Sequence, residues 1–178
     1  MQDQKESNSK AMIFRKAERK DIDAIMEIIQ EAQIALKEEH IDQWQNQYPN
    51  LESIGSDIDL GIGYVVENEN GVIGTVAYSF DGDDNYLNPV SGSWKIDGDY
   101  AVIHRIAVQK SYQGLGISDF MMKELVELAQ KKKVQSIRVD THKENKKMQA
   151  YLARHEFKHV GVIRLKDGAL REAFEKKI

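Results

Sequence analysis

The stretch between Tyr100 and Lys132 most restricts the folds open to this chain. It begins with Tyr100–Val108, which is apolar on both alternating faces and therefore predicts a β-strand in the centre of a sheet. A short polar turn and two glycines, Gly114 and Gly116, follow this strand. Leu115–Lys132 then has the apolar spacing of an amphipathic helix. Such a strand, glycine loop and helix indicate a protein that combines a sheet with packed helices.

The two glycines permit either a plain turn or a phosphate-binding loop. Backbone N–H groups and the peptide dipoles at the start of a helix attract phosphate oxygens, and glycines let a ligand approach the backbone closely. Two known loop types do not fit. The dinucleotide-binding fingerprint needs a third glycine where Asp119 stands, and the nucleotide-binding P-loop needs a Gly-Lys-Ser/Thr ending that is absent.

The rest of the chain alternates between helical and strand patterns. The order is one strand, two helices, a hairpin, a long polar loop, the central strand and its helix, then strand, helix and a last hairpin, which predicts a mixed sheet. Asp21 is the predicted N-cap of the first helix. The predicted bounds are strand 12–15, helices 21–38 and 51–60, hairpin 64–68 and 71–80, loop 81–99, strand 136–142, helix 145–154 and hairpin 159–165 and 169–178.

Composition narrows the class of protein. The 178 residues carry a formal net charge of −4, which argues against a nucleic-acid partner, and there are no cysteines for disulfides, thiolate metal sites or a thiol nucleophile. Neither a signal peptide nor an apolar run of about 18 residues is present, so we expect a cytoplasmic protein without a membrane partner. We expect residues 1–10 to form a disordered tail and residues 11–178 to form one domain.

The run "IAVQKSYQGLGISDFMMKEL" resembles the acyl-CoA-binding core of the GNAT N-acetyltransferase superfamily. In that pattern an apolar strand ends in valine, here Val108, and an aromatic residue, here Tyr112, precedes a Gln/Arg-x-x-Gly-x-Gly/Ala loop that opens a helix. Ser118 departs from the pattern, which has Gly or Ala there. Downstream, "NKKMQAYLARHEF" resembles a second family motif, with Asn145 and Phe157 in register.

The resemblance implies a fold and an activity. The fold is an α/β (mixed α+β) domain with a central mixed, mostly antiparallel sheet of about seven strands and helices on both faces. The activity is N-acetyl transfer from acetyl-CoA, as cosubstrate, to a primary amine by direct attack in a ternary complex, with no metal. The acceptor is a small-molecule amine or a peptide, and a homodimer is an assembly to test for.

The resemblance also assigns residues to the cosubstrate. The CoA pyrophosphate is expected on the loop amides, and the pantetheine arm on main-chain groups at the end of the central strand. Asn145 corresponds to a position that contacts CoA in many relatives, but a helix N-cap explains an asparagine there equally well. The expected cosubstrate-binding residues are Ile106, Ala107, Val108, Gln113, Gly114, Leu115, Gly116, Ile117, Ser118 and Asn145.

Three residues are candidates for the chemistry. The backbone N–H of Val108 is the family position that stabilises the oxyanion. His104 is the candidate general base, because an imidazole titrates near neutral pH, although a histidine in a strand can equally serve as a structural hydrogen-bonding group. Tyr151 is the candidate general acid. The usual tyrosine position of the family is occupied by Leu152, so packing is the alternative interpretation of Tyr151.

The sequence leaves the acceptor open. Aromatic residues and His40 are candidates for the walls of its site, and Glu67 could attract a cationic amine. The aromatic candidates are Trp44, Tyr48, Tyr78 and Trp94. A catalytically silent acyl-CoA-binding regulatory module is the alternative function, motivated by Leu152, and a plain interaction domain is the third.

Overall fold

The structure, a computed structural model, describes residues 11–178, and the tail predicted to be disordered lies outside this range. The described residues contain four α-helices and eight β-strands. The helices are α1 (Ile22–Glu38), α2 (Leu51–Asp59), α3 (Ile117–Lys132) and α4 (Lys146–Arg154). The strands are β1 (Ile13–Lys16), β2 (Gly63–Asn68), β3 (Gly71–Ser79), β4 (Ser91–Gly92), β5 (Tyr100–Val108), β6 (Ser136–Thr141), β7 (Lys158–Arg164) and β8 (Leu170–Lys177).

The strands form one mostly antiparallel sheet in the order β1-β2-β3-β5-β6-β8-β7-β4. The pair β5 and β6 is parallel, with Tyr100 opposite Ser136 and Val102 opposite Arg138. The mixed sheet expected from the sequence is therefore confirmed. It has eight strands instead of about seven, because two residues of the long loop pair with β7 as the additional strand β4.

The start of α1 differs in detail from the expectation. Asp21 does immediately precede the helix, but its carboxylate makes no cap hydrogen bond to α1. It accepts instead from the backbone N–H of Glu18 at 2.7 Å and from the Arg15 guanidinium at 2.8 and 2.9 Å. A single turn of 3-10 helix, Arg19–Asp21, lies in front of α1, so the aspartate closes that turn.

Helix α2 has a reciprocal N-terminal cap. The Asn50 side chain accepts from the backbone N–H of Ser53 at 2.9 Å, and the Ser53 hydroxyl accepts from the backbone N–H of Asn50 at 2.8 Å. This capping box fixes where the helix begins.

Among the described helices, none combines the length and the apolar character needed to span a bilayer.

The chain divides into two compact units. Of the described residues, the first unit contains 11–78 together with His104–Leu125, and the second contains Ser79–Ile103 and Val126–Ile178. In the first unit a buried apolar cluster is built from α1, α2 and β2, and both Trp44 and Ala107 pack against it. The members of this cluster are Ala17, Ile25, Ile29, Ile54 and Val65.

The second unit has its own buried cluster, formed by side chains from the long loop, β5, β7 and β8. Its members are Tyr86, Val102, Val160, Ile163 and Ala173. The partly buried rings of Trp94 and Tyr100 pack against this cluster. The prediction of one domain over residues 11–178 stays a prediction.

Candidate active site

The loop between β5 and α3 has the backbone that its two glycines suggest. Gly114 has a φ of 79° and Gly116 a φ of 86°, a left-handed conformation that side chains other than glycine rarely adopt. A Cβ atom at either position would meet no other atom within 4 Å. The backbone conformation therefore favours glycine at both positions, and the space in front of them is open to a ligand.

Helix α3 begins directly after the second glycine. Its first hydrogen bond runs from the Phe120 N–H to the Gly116 carbonyl at 3.0 Å. Ile117, the first helical residue, is fully buried and anchors this end of the helix. The N–H groups and the dipole of a helix start favour an anion at this position.

Three hydrogen bonds hold the segment that leads into the loop. The Gln109 N–H donates to the Ile73 carbonyl at 2.8 Å, and the Lys110 N–H donates to the Glu31 carboxylate at 3.3 Å. The Asn70 amide, in the turn between β2 and β3, donates to the Tyr112 hydroxyl at 2.9 Å. The loop is thus fastened to neighbouring elements of the first unit before any ligand binds.

Strand β5 contains an irregularity at Arg105. Its φ is 51°, a left-handed value that costs a non-glycine residue about 1–3 kcal/mol and persists only where the surrounding contacts enforce it. Arg105 directly follows His104 and lies three residues before Val108, in the strand that leads into the glycine loop. The irregularity therefore falls inside the segment that carries the predicted reacting groups.

The Arg105 side chain is held by two partners. Its Nε and Nη2 donate to the two carboxylate oxygens of Asp57 in α2 at 2.7 and 2.6 Å, and its Nη1 donates to the Tyr48 hydroxyl at 2.6 Å. The side chains of Arg105 and Asp57 are only 14% and 9% exposed. Burial lowers the pKa of the guanidinium, but its hydrogen bonds to the Asp57 carboxylate and the neighbouring Tyr48 more than offset this, and the net pKa is raised.

His104 and the predicted cosubstrate-binding residues of β5 belong to the first unit. His104, Ile106 and Val108 are each half-buried, and Ala107 packs on the buried cluster of this unit. The structure thus brings the candidate base, the candidate oxyanion N–H and the glycine loop together on one continuous segment. Their predicted roles remain predictions.

Asn145 and Tyr151 lie in the second unit. The Asn145 side chain accepts from the Met148 N–H at 3.1 Å, so the N-cap interpretation is confirmed, while contact with CoA stays a prediction. Tyr151 is 8% exposed in α4, and its ring packs edge-on against His155 at 4.9 Å. The next residue, Leu152, is fully buried, so the usual tyrosine position of the family lies in the core of this chain.

Several candidates for the acceptor site have other partners. Tyr78 is 1% exposed and its hydroxyl donates to the Leu125 carbonyl, so it is a core residue. The Trp94 ring lies over the Arg138 guanidinium at 4.4 Å, and its indole N–H donates to the Tyr86 carbonyl. The Glu67 carboxylate forms an ion pair with Arg15.

Asp57 is the residue of this region that the sequence did not reveal. It lies three residues after Ile54, so on a helix both side chains share one face. A carboxylate on the apolar face of a short helix was the available signal, together with an arginine inside an apolar strand.

Within residues 11–178, no group of three or more histidine, aspartate or glutamate side chains is arranged to hold a metal ion.

Comparison with a family profile and comparison with solved structures point to the same family. The sequence profile of the acetyltransferase (GNAT) family matches residues 22–157. A GNAT-family acetyltransferase from Streptococcus agalactiae is 30% identical, with a TM-score of 0.86 over 94% of this chain and 95% of that one. A comparison with curated proteins found no match.

Two further solved structures share the fold. A GNAT-family acetyltransferase from Listeria monocytogenes has 21% identity and a TM-score of 0.71, covering 94% of this chain and 95% of that chain. An N-acetyltransferase from Staphylococcus aureus has 17% identity and a TM-score of 0.67, covering 93% and 98%. At these identities the likeness concerns the fold alone.

Proposed function

The chain belongs to the GNAT acetyltransferase family, and on this premise we propose that it transfers the acetyl group of acetyl-CoA to a primary amine. One observation carries the proposal. Gly114 and Gly116 hold a left-handed backbone that opens onto free space at the start of a helix, directly after the strand that would carry the chemistry.

The residues present suit acetyl-CoA as cosubstrate. Backbone N–H groups between Gln113 and Ser118 would bind the pyrophosphate, which needs no particular side chain, so serine at position 118 is compatible with the role. Main-chain groups of Ile106, Ala107 and Val108 would bind the pantetheine arm. When bound, acetyl-CoA supplies an acetyl group activated as a thioester.

The acceptor amine must lose a proton before it can attack. An alkylamine has a pKa near ~10, so it arrives protonated at neutral pH. In our proposal His104 takes this proton, directly or through water. The Val108 N–H donates a hydrogen bond to the acetyl oxygen as negative charge develops there.

Tyr151 and Asn145 complete the proposal on the family resemblance alone. Tyr151 would protonate the departing thiolate, and Asn145 would contact CoA in addition to capping α4. A thiolate is a tolerable leaving group without a proton donor, so acetyl transfer does not depend on Tyr151.

The acceptor in this proposal is a small-molecule amine or a peptide amine. We expect the protein to act in the cytoplasm. A homodimer is an assembly to test for. The proposed chemistry uses no metal and no nucleic acid.

The direct test is the release of free CoA thiol from acetyl-CoA over a broad panel of amines. The panel contains polyamines, amino acids, aminoglycosides and short peptides, and mass spectrometry identifies the acetylated product. We expect amine-dependent thiol release with at least one class. Binding of acetyl-CoA without acetylation of any amine would favour a silent acyl-CoA-binding module, and failure to bind it would contradict the proposal altogether.

A further inference from the structure

Tyr48, Asp57 and Arg105 form a hydrogen-bonded connection among three elements of the first unit. Tyr48 lies in the segment before α2, Asp57 lies in α2, and Arg105 lies in β5. The guanidinium donates three hydrogen bonds of 2.6 to 2.7 Å, two to the Asp57 carboxylate and one to the Tyr48 hydroxyl. We name these three residues the Arg105 clamp.

The clamp acts on the one left-handed residue within β5. Arg105 has a φ of 51°, whereas an L-residue in a strand ordinarily has a negative φ. A bidentate carboxylate contact fixes both the position and the plane of a guanidinium. Because the side chain is held in this way, the backbone that carries it is held in its unfavourable conformation.

Arg105 is poorly suited to contact a substrate directly. Its side chain is 14% exposed, and the neighbouring Asp57 carboxylate compensates its charge. Both side chains line a small pocket with apolar groups from α1, α2 and β3. A role through the backbone therefore fits the surroundings of Arg105 better than a role in binding an anion.

The neighbours of Arg105 are the groups that our account places at the reaction. His104 precedes it, and the main chain of Ile106–Val108 follows it. A change of the Arg105 backbone from left-handed to extended would redirect the His104 side chain and the N–H groups that follow. The clamp thus controls atoms that it does not touch.

We propose that Arg105 is a positioning residue, and that Asp57 and Tyr48 hold its left-handed backbone so that His104 and the Val108 N–H face the reacting groups. The proposal rests on the proposed function, since the positioned groups are those of acetyl transfer. It assigns to helix α2 and the segment before it a part in the reaction rate, separate from any contact they make with the acceptor.

A matched pair of substitutions isolates the backbone. In a chain carrying Asp57→Asn, so that no buried carboxylate loses its partner, Arg105→Gly and Arg105→Ala both remove the clamp. They differ only in the Cβ that disfavours a left-handed φ. We expect the glycine variant to have a kcat about fivefold or more above that of the alanine variant. Equal kcat values would overturn the proposal.

A second arm uses a substitution that leaves no buried charge without its ion-pair partner. Tyr48→Phe removes one hydroxyl, and we expect it to lower kcat about threefold in the wild-type chain and to have no effect in the Asp57→Asn, Arg105→Gly chain. A tyrosine that contacts the acceptor directly would lower turnover in both backgrounds, and that result would contradict the clamp.

Amide NMR separates failure of the clamp from failure of the proposed function. We expect the backbone amide resonances of Ala107 and Val108 to stay near their wild-type positions in the glycine variant and to move in the alanine variant. This readout needs no turnover. If the wild-type chain acetylates no amine, the proposed function fails, and the NMR comparison alone decides whether Arg105 holds the backbone. The same Ala107 and Val108 amide positions in the two variants would refute the positioning role.

Discussion

His104 and Arg105 are adjacent on β5, yet their surroundings indicate different roles. Arg105 is held by Asp57 and Tyr48 in a left-handed conformation, whereas His104 is half-buried beside it. A group that is fixed by a carboxylate on α2 can support its neighbours, and the imidazole next to it is the general base that we propose. In our proposal Arg105 is therefore the residue that positions, and His104 is the residue that reacts.

The role of His104 is open to a direct test. Replacement by glutamine keeps a polar side chain of similar reach but removes the proton acceptor. If His104 is the general base, we expect kcat to fall about 100-fold at neutral pH while the KM for acetyl-CoA stays within about twofold. Steady-state kinetics with the best amine of the panel measures both.

His159 offers a matched control, because it is 51% exposed on β7 and pairs with Glu172. His159→Gln should leave both kinetic parameters unchanged. A His104→Gln enzyme that turns over within about twofold of wild type would remove His104 from the mechanism.

The backbone conformation of the glycine loop could be predicted from the sequence, but the Arg105 clamp could not. Gly114 and Gly116 indicate a left-handed turn because few other residues tolerate one. Nothing local in the sequence announces that Arg105 adopts such a backbone, since its conformation depends on Asp57, which lies 48 residues away. Long-range ion pairs leave no signature in the spacing of a single chain.

At the scale of elements, the start of α1 shows how a charged group can fix a turn. The Asp21 carboxylate accepts from Arg15 and from the Glu18 N–H. The hydrogen bond from Arg15 is the main reason that the pKa of Asp21 lies below its ordinary value. A carboxyl group with a depressed pKa stabilises the folded state above its unfolded pKa, and this stabilisation is lost as the pH falls.

Asp21→Asn should therefore have a pH-dependent effect on stability. We expect the free energy of unfolding to drop by about 1.5–3 kcal/mol at neutral pH, because a charged hydrogen-bonded network is broken. The difference from wild type should shrink as the pH falls below about 4, where the unfolded carboxyl becomes protonated. Urea unfolding at a series of pH values measures it.

The exposed ion pair between Arg19 and Asp59 provides the control. Both side chains are about 60% exposed, at 62% and 60%, so Asp59→Asn should cost no more than about 1 kcal/mol. A penalty for Asp21→Asn that stays constant down to acid pH would show that charge is not what stabilises this turn.

Most helices and strands could be predicted from periodicity, and the exceptions have physical reasons. The helix after the glycine loop was expected from Leu115 but begins at Ile117, because Gly116 adopts a left-handed φ. The strand β4 has two residues, and they pair only because β7 offers an edge. A segment this short has no hydrophobic period, so its pairing depends on the tertiary structure.

The whole molecule combines a family fold with one glycine loop. The chain belongs to the GNAT acetyltransferases, and its sheet order and its strand, glycine loop and helix follow from that membership. The fold was predictable because the motifs occur in order along nearly the whole chain. The acceptor was not, since side chains predicted for its walls, such as Tyr78 and Trp94, have structural partners instead.

The proposed function depends first on binding of acetyl-CoA by the loop that contains Gly114 and Gly116. Calorimetric titration of acetyl-CoA into three proteins tests it: the wild type, Gly116→Leu and Gly168→Leu. Gly168 is the matched control, because it also has a left-handed φ, 90°, and open space around it, but lies in the turn between β7 and β8.

Both substitutions impose the same kind of backbone strain, so only the position differs. Binding at this loop predicts that wild type and Gly168→Leu bind acetyl-CoA with equal affinity, and that Gly116→Leu binds it at least about tenfold more weakly while remaining folded. Equal affinity in all three proteins, or no binding to the wild type, would contradict it.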